Sequence, residues 1–340
     1  MLILGIETSC DDTSVAVLRI ENDKPSVLSN IVSSQVKLHN EFGGVVPILA
    51  AREHERNLPV VLDEAMKVAS LKFKDIDLIA VTSGPGLIMS LVKGVNFAKD
   101  LAQKNNKPII GVNHMAGHIY SNWLSLPTTH YPLFPALCLT VSGGHTELVF
   151  MKNHGEYELI GKTLDDAAGE AFDKIARLIG LEYPGGPAIA RTAMEFSISN
   201  SQFSIKLPRP MMYSKDLNFS FSGLKTSVLY LVRDLTVPLD SARSEIAHEA
   251  QEAIVDVLMH KTKKAIEMHQ PKSVLLAGGV SANKLLREKI QTLHENVFIP
   301  PMEYTTDNAA MIAMAGYYEF KRLKFKSLKL LEADANWEIV

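Results

Sequence analysis

The sequence predicts an α/β protein built from a duplicated unit, with two lobes facing each other across a central cleft. Apolar runs of strand length alternate with longer segments of helical periodicity, which is typical of sheets covered by helices. A strand, a small polar turn and a returning strand occur near the N-terminus and again near residue 135. The chain has 340 residues, enough for roughly two domains of about 150 residues each.

Composition bounds the function. The chain is 46% hydrophobic and 21% charged, with a formal net charge of −3. It has no uncharged apolar stretch of about 18 residues and no basic region before its first apolar run, so we expect neither a membrane span nor a signal peptide. Two cysteines, Cys10 and Cys138, do not suggest a disulfide framework, which favours a cytoplasmic protein. Proteins that bind nucleic acid without a partner are usually basic, so a nucleic-acid-binding role here needs a local basic patch or a partner protein.

The first lobe is predicted to span residues 1–134. Three apolar runs separated by short turns predict a β-meander, and βα patterns follow it. The predicted elements are strands at 2–9, 13–20 and 26–33, a helix at 52–70, a strand at 76–83, a helix at 87–101, a strand at 109–113 and a helix from His114.

The second lobe is predicted to span residues 135–340, with an irregular insertion near 181–222 that is rich in Pro, Gly and Ser. Its first strands repeat the hairpin that opens the first lobe. The predicted elements are strands at 134–142, 146–151 and 157–161, helices at 165–180 and 241–269, a strand at 273–277, and helices at 282–293 and 306–321.

His114 and His118 lie one turn apart on one helix face, so both imidazoles can reach one divalent metal. The spacing is that of the zinc-peptidase helix, but Met115 stands where a peptidase needs a glutamate base, which disfavours that chemistry. Two partly exposed surface histidines are the alternative. Asp307 is the candidate third ligand, although an acid just before an apolar helix is more often its N-cap. Two imidazoles and a carboxylate suit Zn²⁺ or Fe²⁺.

Two glycine turns predict an anion site. The segment Ser142–Thr146 lies between two strands, where a glycine pair permits positive φ and the close approach of a ligand. The segment Gly278–Asn283 is a strand, turn and helix start, whose free N–H groups attract anions. A plain hairpin is the alternative for the first turn. Together the turns favour a nucleotide cradle like that of the actin-like ATPases, and no Walker or dinucleotide glycine motif competes with it.

Acidic residues form two further clusters. Asp166, Glu170 and Asp173 share one helix face and repel by a few tenths of a kcal/mol, so we expect a cation, a ribose or a partner to compensate. A solvated acidic helix start is the alternative. Three acids within residues 7–12 surround the first hairpin turn and suit Mg²⁺ binding or base catalysis, although turns favour such residues anyway.

Nine motifs in a fixed order identify a family resemblance over residues 5–310: GIETSCDDT, SGPG, NHMAGH, VSGGHTEL, DDAAGEAFDK, YPGGP, FSFSGLKT, GGVSAN and TDNAA. They are similar to the bacterial TsaD family, sister to the Kae proteins and formerly labelled a glycoprotease. The resemblance implies the duplicated actin-like ATPase fold (ASKHA, ribonuclease H-like). It also implies transfer of threonylcarbamoyl from threonylcarbamoyl-AMP to N6 of the adenosine 3′ of the anticodon, in tRNAs that read ANN codons.

The resemblance also implies roles for individual residues. The family's metal ligands match His114, His118 and Asp307. Its substrate- and nucleotide-binding positions match Thr140, Val141, Ser142, Gly143, Gly144, Asp173, Gly186 and Asn283. The acid of its TSCD motif matches Asp11, which would orient the donor or accept a proton. Some members have Glu at the next position, where this chain has Asp12. The implied cofactors are one Fe²⁺ or Zn²⁺ ion, with Mg²⁺ accompanying ATP or AMP.

The implied partners are tRNA, a TsaB-like paralogue, a TsaE-like P-loop ATPase and a TsaC-type synthase that supplies threonylcarbamoyl-AMP. The helix after Gly86 is the candidate paralogue contact, with a core helix as the alternative. The candidates for tRNA binding are the basic residues near the C-terminus, namely Lys321, Arg322, Lys324, Lys326 and Lys329. A solvated cationic tail is the alternative.

The sequence leaves three rival functions open. A small-molecule kinase or ATPase of the same fold would use the glycine turns and acids but not the histidine pair. A non-catalytic partner subunit could have lost both the acids and the histidines, which this chain retains. A metallopeptidase is least favoured. Metal analysis of chelator-free protein separates the kinase from the transferase.

Overall fold

The computed structural model describes residues 1–124, 131–196, 205–323 and 331–340, and the chain divides into two compact units. Unit 1 comprises residues 1–132, 153–157 and 300–340, and unit 2 comprises residues 133–152 and 158–299. The predicted division after residue 134 placed residues 300–340 in the second lobe, whereas they fold with unit 1. The reason is the last helix, which packs on the sheet of unit 1.

Unit 1 contains a five-stranded sheet of order β3-β2-β1-β4-β5. Its strands are β1 (Leu2–Glu7), β2 (Asp12–Glu21), β3 (Lys24–Ser34), β4 (Leu78–Gly84) and β5 (Ile109–Asn113). β1, β2 and β3 form the predicted antiparallel meander, and β4 and β5 continue from β1 in parallel. Every residue of β4 is buried, as expected for a central parallel strand covered on both faces.

Unit 2 contains a second five-stranded sheet of order β10-β9-β6-β7-β8. Its strands are β6 (Ala136–Val141), β7 (Thr146–Asn153), β8 (Glu156–Lys162), β9 (Ser273–Ala277) and β10 (Val297–Phe298). β6 pairs with β7 in antiparallel fashion and with β9 in parallel, as β1 does with β2 and β4. Written from its other end, as β8-β7-β6-β9-β10, this order matches that of unit 1 position by position, which confirms the predicted duplication.

Ten α-helices cover the described parts of the two sheets. They are α1 (Val36–Asn40), α2 (Pro47–Val68), α3 (Ile88–Asn105), α4 (His114–Tyr120), α5 (Ala168–Leu178), α6 (Gly185–Met194), α7 (Ser222–Arg233), α8 (Leu239–His269), α9 (Lys284–Ile290) and α10 (Ala309–Leu323). Each unit has its own apolar core between sheet and helices. Among the described residues, no helix has the length and apolar character needed to cross a membrane.

The insertion predicted at 181–222 is less irregular than expected, because α6 lies within it. The prolines and glycines of the YPGGP motif signal a loop, but here Pro184 precedes the first turn of the helix, a position that proline tolerates. The buried side chains of Ala188, Ile189 and Ala193 attach α6 to the core. Residues 197–204 of the insertion lie outside the described residues.

The backbone of helix α10 packs very closely against β1 and β4. A Cβ atom at Gly5 would lie 2.1 Å from the carbonyl oxygen of Ala309, and one at Gly316 would lie 2.5 Å from the Cβ of Ala80. The amide of Ala309 also donates to the hydroxyl of Ser14 at 2.9 Å. These contacts fix the position of the segment that precedes α10 relative to the end of β1.

We predict that Gly5→Ala lowers the free energy of unfolding by about 3 kcal/mol, because the added methyl group meets a backbone oxygen that cannot rotate away. Gly223→Ala is the control, since the nearest atom to its new Cβ would be 3.7 Å away. It should change stability by less than about 0.5 kcal/mol. Denaturant unfolding of both variants measures the difference, and equal stabilities would contradict this account of α10.

Candidate metal centre

The two predicted histidine ligands lie on α4, which follows directly from β5. Asn113 starts this helix, because its side-chain oxygen accepts hydrogen bonds from the amides of Met115 (2.9 Å) and Ala116 (3.2 Å). His114 is 8% exposed and His118 is 1% exposed. The alternative of two partly exposed surface histidines is therefore wrong.

The sequence position of Asp307 favoured a role as N-cap of the last helix, but Asp307 does not cap that helix. The neighbouring Asn308 does so instead, since its side-chain oxygen accepts from the amide of Met311 at 3.0 Å. The carboxylate of Asp307 instead faces the imidazoles: its Oδ1 lies 3.2 Å from Nε2 of His118 and 3.5 Å from Nε2 of His114. The helix-capping prediction was wrong by one residue, and that shift brings Asp307 to the histidine pair.

The three side chains fit a metal site. One ligand atom from each of His114, His118 and Asp307 lies within 4.8 Å of the other two. Both ring nitrogens of the buried His118 have no hydrogen-bond partner among the described residues, although its Nε2 is close to Asp307. Buried polar groups are normally paired, so these nitrogens fit a group of ligands better than a core contact. Two imidazoles and a carboxylate suit Zn²⁺ or Fe²⁺.

A second carboxylate lies behind His114. Glu7 is fully buried at the end of β1, and its Oε2 lies 3.0 Å from Nδ1 of His114. Burial lowers the pKa of His114, but the charges of Glu7 and Asp307 outweigh it and raise that pKa to about 9. Burial raises the pKa of Asp307, but His114 and His118 lower it to about 2. The centre therefore favours positive charge between two carboxylates.

The sequence pattern indicates Glu7 only as one of three acids near a turn and does not predict this contact. A signal was available: Glu7 is the only charged residue in an otherwise apolar strand, and it ends that strand. A charge is costly in such a place unless it is paired.

The first hairpin turn is electrostatically linked to the same centre. Burial, followed by the charge of Asp307, raises the pKa of the predicted catalytic residue Asp11. Burial is also the main reason that the pKa of Asp12 rises to about 7. The Oδ1 atom of Asp12 is buried without a hydrogen-bond partner among the described residues. A carboxyl group with a pKa near 7 can both take up and release a proton at neutral pH.

In unit 2 the predicted nucleotide turn follows β6. Thr140 and Val141 are buried at the end of that strand, and the amide of Ser142 donates to the carbonyl of His145 at 2.8 Å. Positive φ was one reason offered for the glycine pair, and that part is wrong, because neither Gly143 nor Gly144 adopts it. A Cβ atom at either glycine would meet nothing within 4 Å, so their backbone borders open space.

The second glycine turn lies directly beside the first. Gly278 has a φ of 86°, and a Cβ atom there would lie 2.4 Å from the carbonyl oxygen of Val141. A Cβ atom at Gly169, near the start of α5, would lie 2.4 Å from the carbonyl oxygen of Ser142. Gly279, like the glycine pair of the first turn, borders open space. Backbone from two other segments thus packs against the turn that follows β6.

Of the remaining predicted binding residues of unit 2, Gly186 and Asn283 lie at helix starts, and Asp173 lies in the middle of α5. Asp173 accepts a hydrogen bond from the amide of Gly185 at 2.7 Å, at the start of α6, and burial raises its pKa. Gly186 is the second residue of that helix and borders open space. Asn283 caps α9 by accepting from the amide of Leu286 at 3.0 Å. Asp173 and Gly186 are therefore brought together.

The charges of the acidic segment are compensated within the chain. The Nζ atom of Lys174 lies 2.7 Å from a carboxylate oxygen of Asp166 and 2.7 Å from one of Glu170. The expectation that a cation, a ribose or a partner compensates these two acids is wrong, because the lysine lies one turn beyond Glu170 on the same helix.

The basic residues near the C-terminus are only partly described. Lys321 pairs with Asp23 at 2.8 Å, and Arg322 pairs with Glu319 at 2.6 Å. The other three candidates for tRNA contact lie within residues 324–330, outside the described residues, and are Lys324, Lys326 and Lys329.

Comparisons with known proteins agree over nearly the whole chain. The family model TsaD, described as tRNA N6-adenosine threonylcarbamoyltransferase, matches residues 26–314. A protein of that name from Thermosipho africanus is 49% identical over 346 residues, covering 100% of both chains. Another from Bacillus anthracis is 48% identical over 335 residues, covering 97% of this chain and 94% of the relative.

A solved structure shows the fold. Component A of the (R)-2-hydroxyglutaryl-CoA dehydratase of Acidaminococcus fermentans aligns with a TM-score of 0.54 at 13% identity, over 94% of this chain and 99% of that chain. At this identity the likeness concerns the fold alone. It confirms the predicted actin-like ATPase fold.

We predict that His118→Ala lowers the metal content of purified protein from about one ion per chain to a small fraction of that, because a three-ligand centre loses an imidazole. His154→Ala is the matched control, since this histidine belongs to the same unit but stacks on Tyr318, with 3.7 Å between ring centroids. It should keep the wild-type content. Elemental analysis by mass spectrometry provides the measurement, and equal metal content in both variants would contradict the site.

Proposed function

Because this chain belongs to the TsaD family of tRNA N6-adenosine threonylcarbamoyltransferases, we propose that it transfers threonylcarbamoyl from threonylcarbamoyl-AMP to N6 of the adenosine 3′ of the anticodon, in tRNAs that read ANN codons. The observation that carries the proposal is the group formed by the buried His114 and His118 with the half-buried Asp307. A kinase of the same fold has no use for such a group. The site of action would be the cytoplasm, where tRNA is found.

The chemistry defines what the protein must do. The donor is a mixed anhydride of a carbamic acid and AMP, so AMP is a good leaving group. The adenine amine is a poor nucleophile, because its lone pair is delocalised into the ring. In the reaction a bond forms between N6 and the carbamoyl carbon, the bond from that carbon to the phosphate oxygen breaks, and N6 loses a proton. Positioning and polarisation of the carbonyl are therefore the main tasks.

Unit 1 would supply the polarising centre. His114, His118 and Asp307 would hold one divalent ion, Zn²⁺ or Fe²⁺, which when bound provides Lewis acidity toward carbonyl oxygens. Asp11, linked electrostatically to Asp307, would orient the donor or receive the proton from N6.

Unit 2 would bind the adenylate. The open backbone at Gly143, Gly144 and Gly279 would bind the phosphate, because N–H groups in such turns attract anions. Mg²⁺ would accompany bound ATP or AMP. The segment Thr140–Ser142 would line the adenylate-binding site. Asp173, Gly186 and Asn283 would contact the ribose or base.

The partner proteins would be those of the family: a TsaB-like paralogue, a TsaE-like P-loop ATPase and a TsaC-type synthase that supplies the donor. The paralogue contact has a candidate surface on α2 and α3, which pack against each other. Six large apolar side chains of these helices are exposed, namely Ile48, Val60, Val68, Ile88, Met89 and Val92. Ile88, Met89 and Val92 lie together in the first turns of α3, and neighbouring exposed apolar residues favour a protein interface.

Reconstitution tests the proposed reaction. The full chain, its partners, threonylcarbamoyl-AMP and unmodified tRNA are combined, and the modified nucleoside is quantified by mass spectrometry. We predict that the wild type and His154→Ala form the modified nucleoside. The rate with His118→Ala should be lower by about 100-fold or more, because polarisation of the carbonyl is lost. Phosphorylation of a small molecule, with no modified nucleoside, would instead support the kinase.

The open glycine turn yields a separate prediction. Gly144→Ala should leave the free energy of unfolding and the metal content unchanged, because the added Cβ meets no atom of the protein. It should raise KM for the donor by about tenfold or more, because the methyl group occupies the space of the phosphate. Unchanged KM would remove this turn from the adenylate site.

A further inference from the structure

We propose that Glu7 is a positioning residue for the metal centre, whose buried carboxylate holds the imidazole of His114 so that Nε2 faces Asp307 and His118. The inference rests on the proposed function, because it concerns the same centre, and it adds a residue that supports a ligand without being one. Carboxylate, histidine and metal then form a chain in which the outermost group sets the orientation of the ligand.

The carboxylate of Glu7 lies in a buried position, where it needs compensating partners. It is 0% exposed, at the end of a strand whose other residues are apolar. Burying a charge costs several kcal/mol unless good partners compensate it. Both oxygens have them: Oε1 accepts from the amide of Ser9, and Oε2 accepts from the hydroxyl of Thr82 and faces His114.

The contact with Glu7 selects one tautomer of His114. An ionised carboxylate can only accept hydrogen bonds, so Nδ1 of His114 carries the proton and donates it across 3.0 Å. The hydroxyl of Ser9 lies 3.1 Å from the same nitrogen. In the neutral imidazole the lone pair is then on Nε2, the atom 3.5 Å from Asp307 Oδ1. That is the atom a metal ligand needs to present.

The second histidine has no equivalent support. Nδ1 of His118 is buried and has no hydrogen-bond partner among the described residues. The orientation of His118 therefore depends on packing, while that of His114 depends on a hydrogen bond from a fixed strand. Loss of the Glu7 carboxylate should consequently weaken metal binding through one ligand and leave the other two in place.

A purely structural role is the alternative, since Glu7 also accepts from Ser9 and Thr82. Glu7→Gln keeps the shape of the side chain but replaces one acceptor oxygen with an NH₂ group. All the described neighbours of the carboxylate are donors in the present arrangement, so the amide must oppose at least one of them. A structural role would lower only stability, whereas a positioning role changes metal binding as well.

The experiment measures Zn²⁺ binding to the full chain by chelator competition. We expect Glu7→Gln to raise the Kd for Zn²⁺ by about 10- to 100-fold, the usual effect of losing an outer-shell partner. We also expect it to shift the visible absorption of the Co²⁺-loaded protein. The matched control is Glu245→Gln in unit 2, another buried acid, which accepts from the amide of Ile205 at 3.0 Å. It should leave both readouts unchanged.

The outcomes separate this inference from the proposed function. Zn²⁺ binding that is lost in His118→Ala but unchanged in Glu7→Gln, with an unchanged Co²⁺ spectrum, overturns the role of Glu7 and leaves the metal centre standing. Zn²⁺ binding that does not depend on His118 overturns both. If Glu7→Gln fails to fold, nitrogen-15 NMR of the Zn²⁺-loaded wild type decides: a proton on Nδ1 of His114 supports the inference, and a proton on Nε2 overturns it.

Discussion

The candidate metal centre depends on the close approach of α10 to β1, which is possible because residue 5 has no side chain. The ligand atoms come from residues 114, 118 and 307, so no local pattern can assemble them. A helix held at the ordinary distance by a side chain at Gly5 would move Asp307 away from the imidazoles. Gly117 allows the corresponding approach on the other side, because a Cβ atom there would lie 2.6 Å from Ile312 of α10.

The two units share one sheet topology but carry different chemistry at matching places. The turn after β1 carries Asp11, whose pKa responds to the charge of Asp307, whereas the turn after β6 carries glycines that border open space. The first arrangement suits a cation, and the second suits the phosphate of an adenylate. Function therefore follows from the residues placed at equivalent turns and not from the fold, which the dehydratase component shares.

The sequence predicted much of this fold, because strands and helices here follow the periodicity of buried side chains. β9 was predicted at its observed bounds, and α4 was predicted to begin at His114. Helix α6 was missed, because the residues that signal a loop also tolerate the first turn of a helix. The two-residue strand β10 is too short to carry a period.

The centre was less predictable than the fold. The histidine spacing pointed to a ligand pair, but the choice between Asp307 and Asn308 as helix cap depends on tertiary position, which the sequence leaves open. The contact of Glu7 with His114 spans more than a hundred residues and has no spacing signal. Lys174 compensates the acidic segment at ordinary helical spacing and could have been predicted from that spacing alone.

X-ray absorption at the zinc edge of the full chain, loaded with one Zn²⁺, tests the central claim most directly. We predict a first shell of nitrogen and oxygen at about 2.0–2.1 Å, with outer-shell scattering from two imidazoles. A spectrum without imidazole scattering, or one dominated by sulfur, would show that the ion lies elsewhere and that His114, His118 and Asp307 do not form its site.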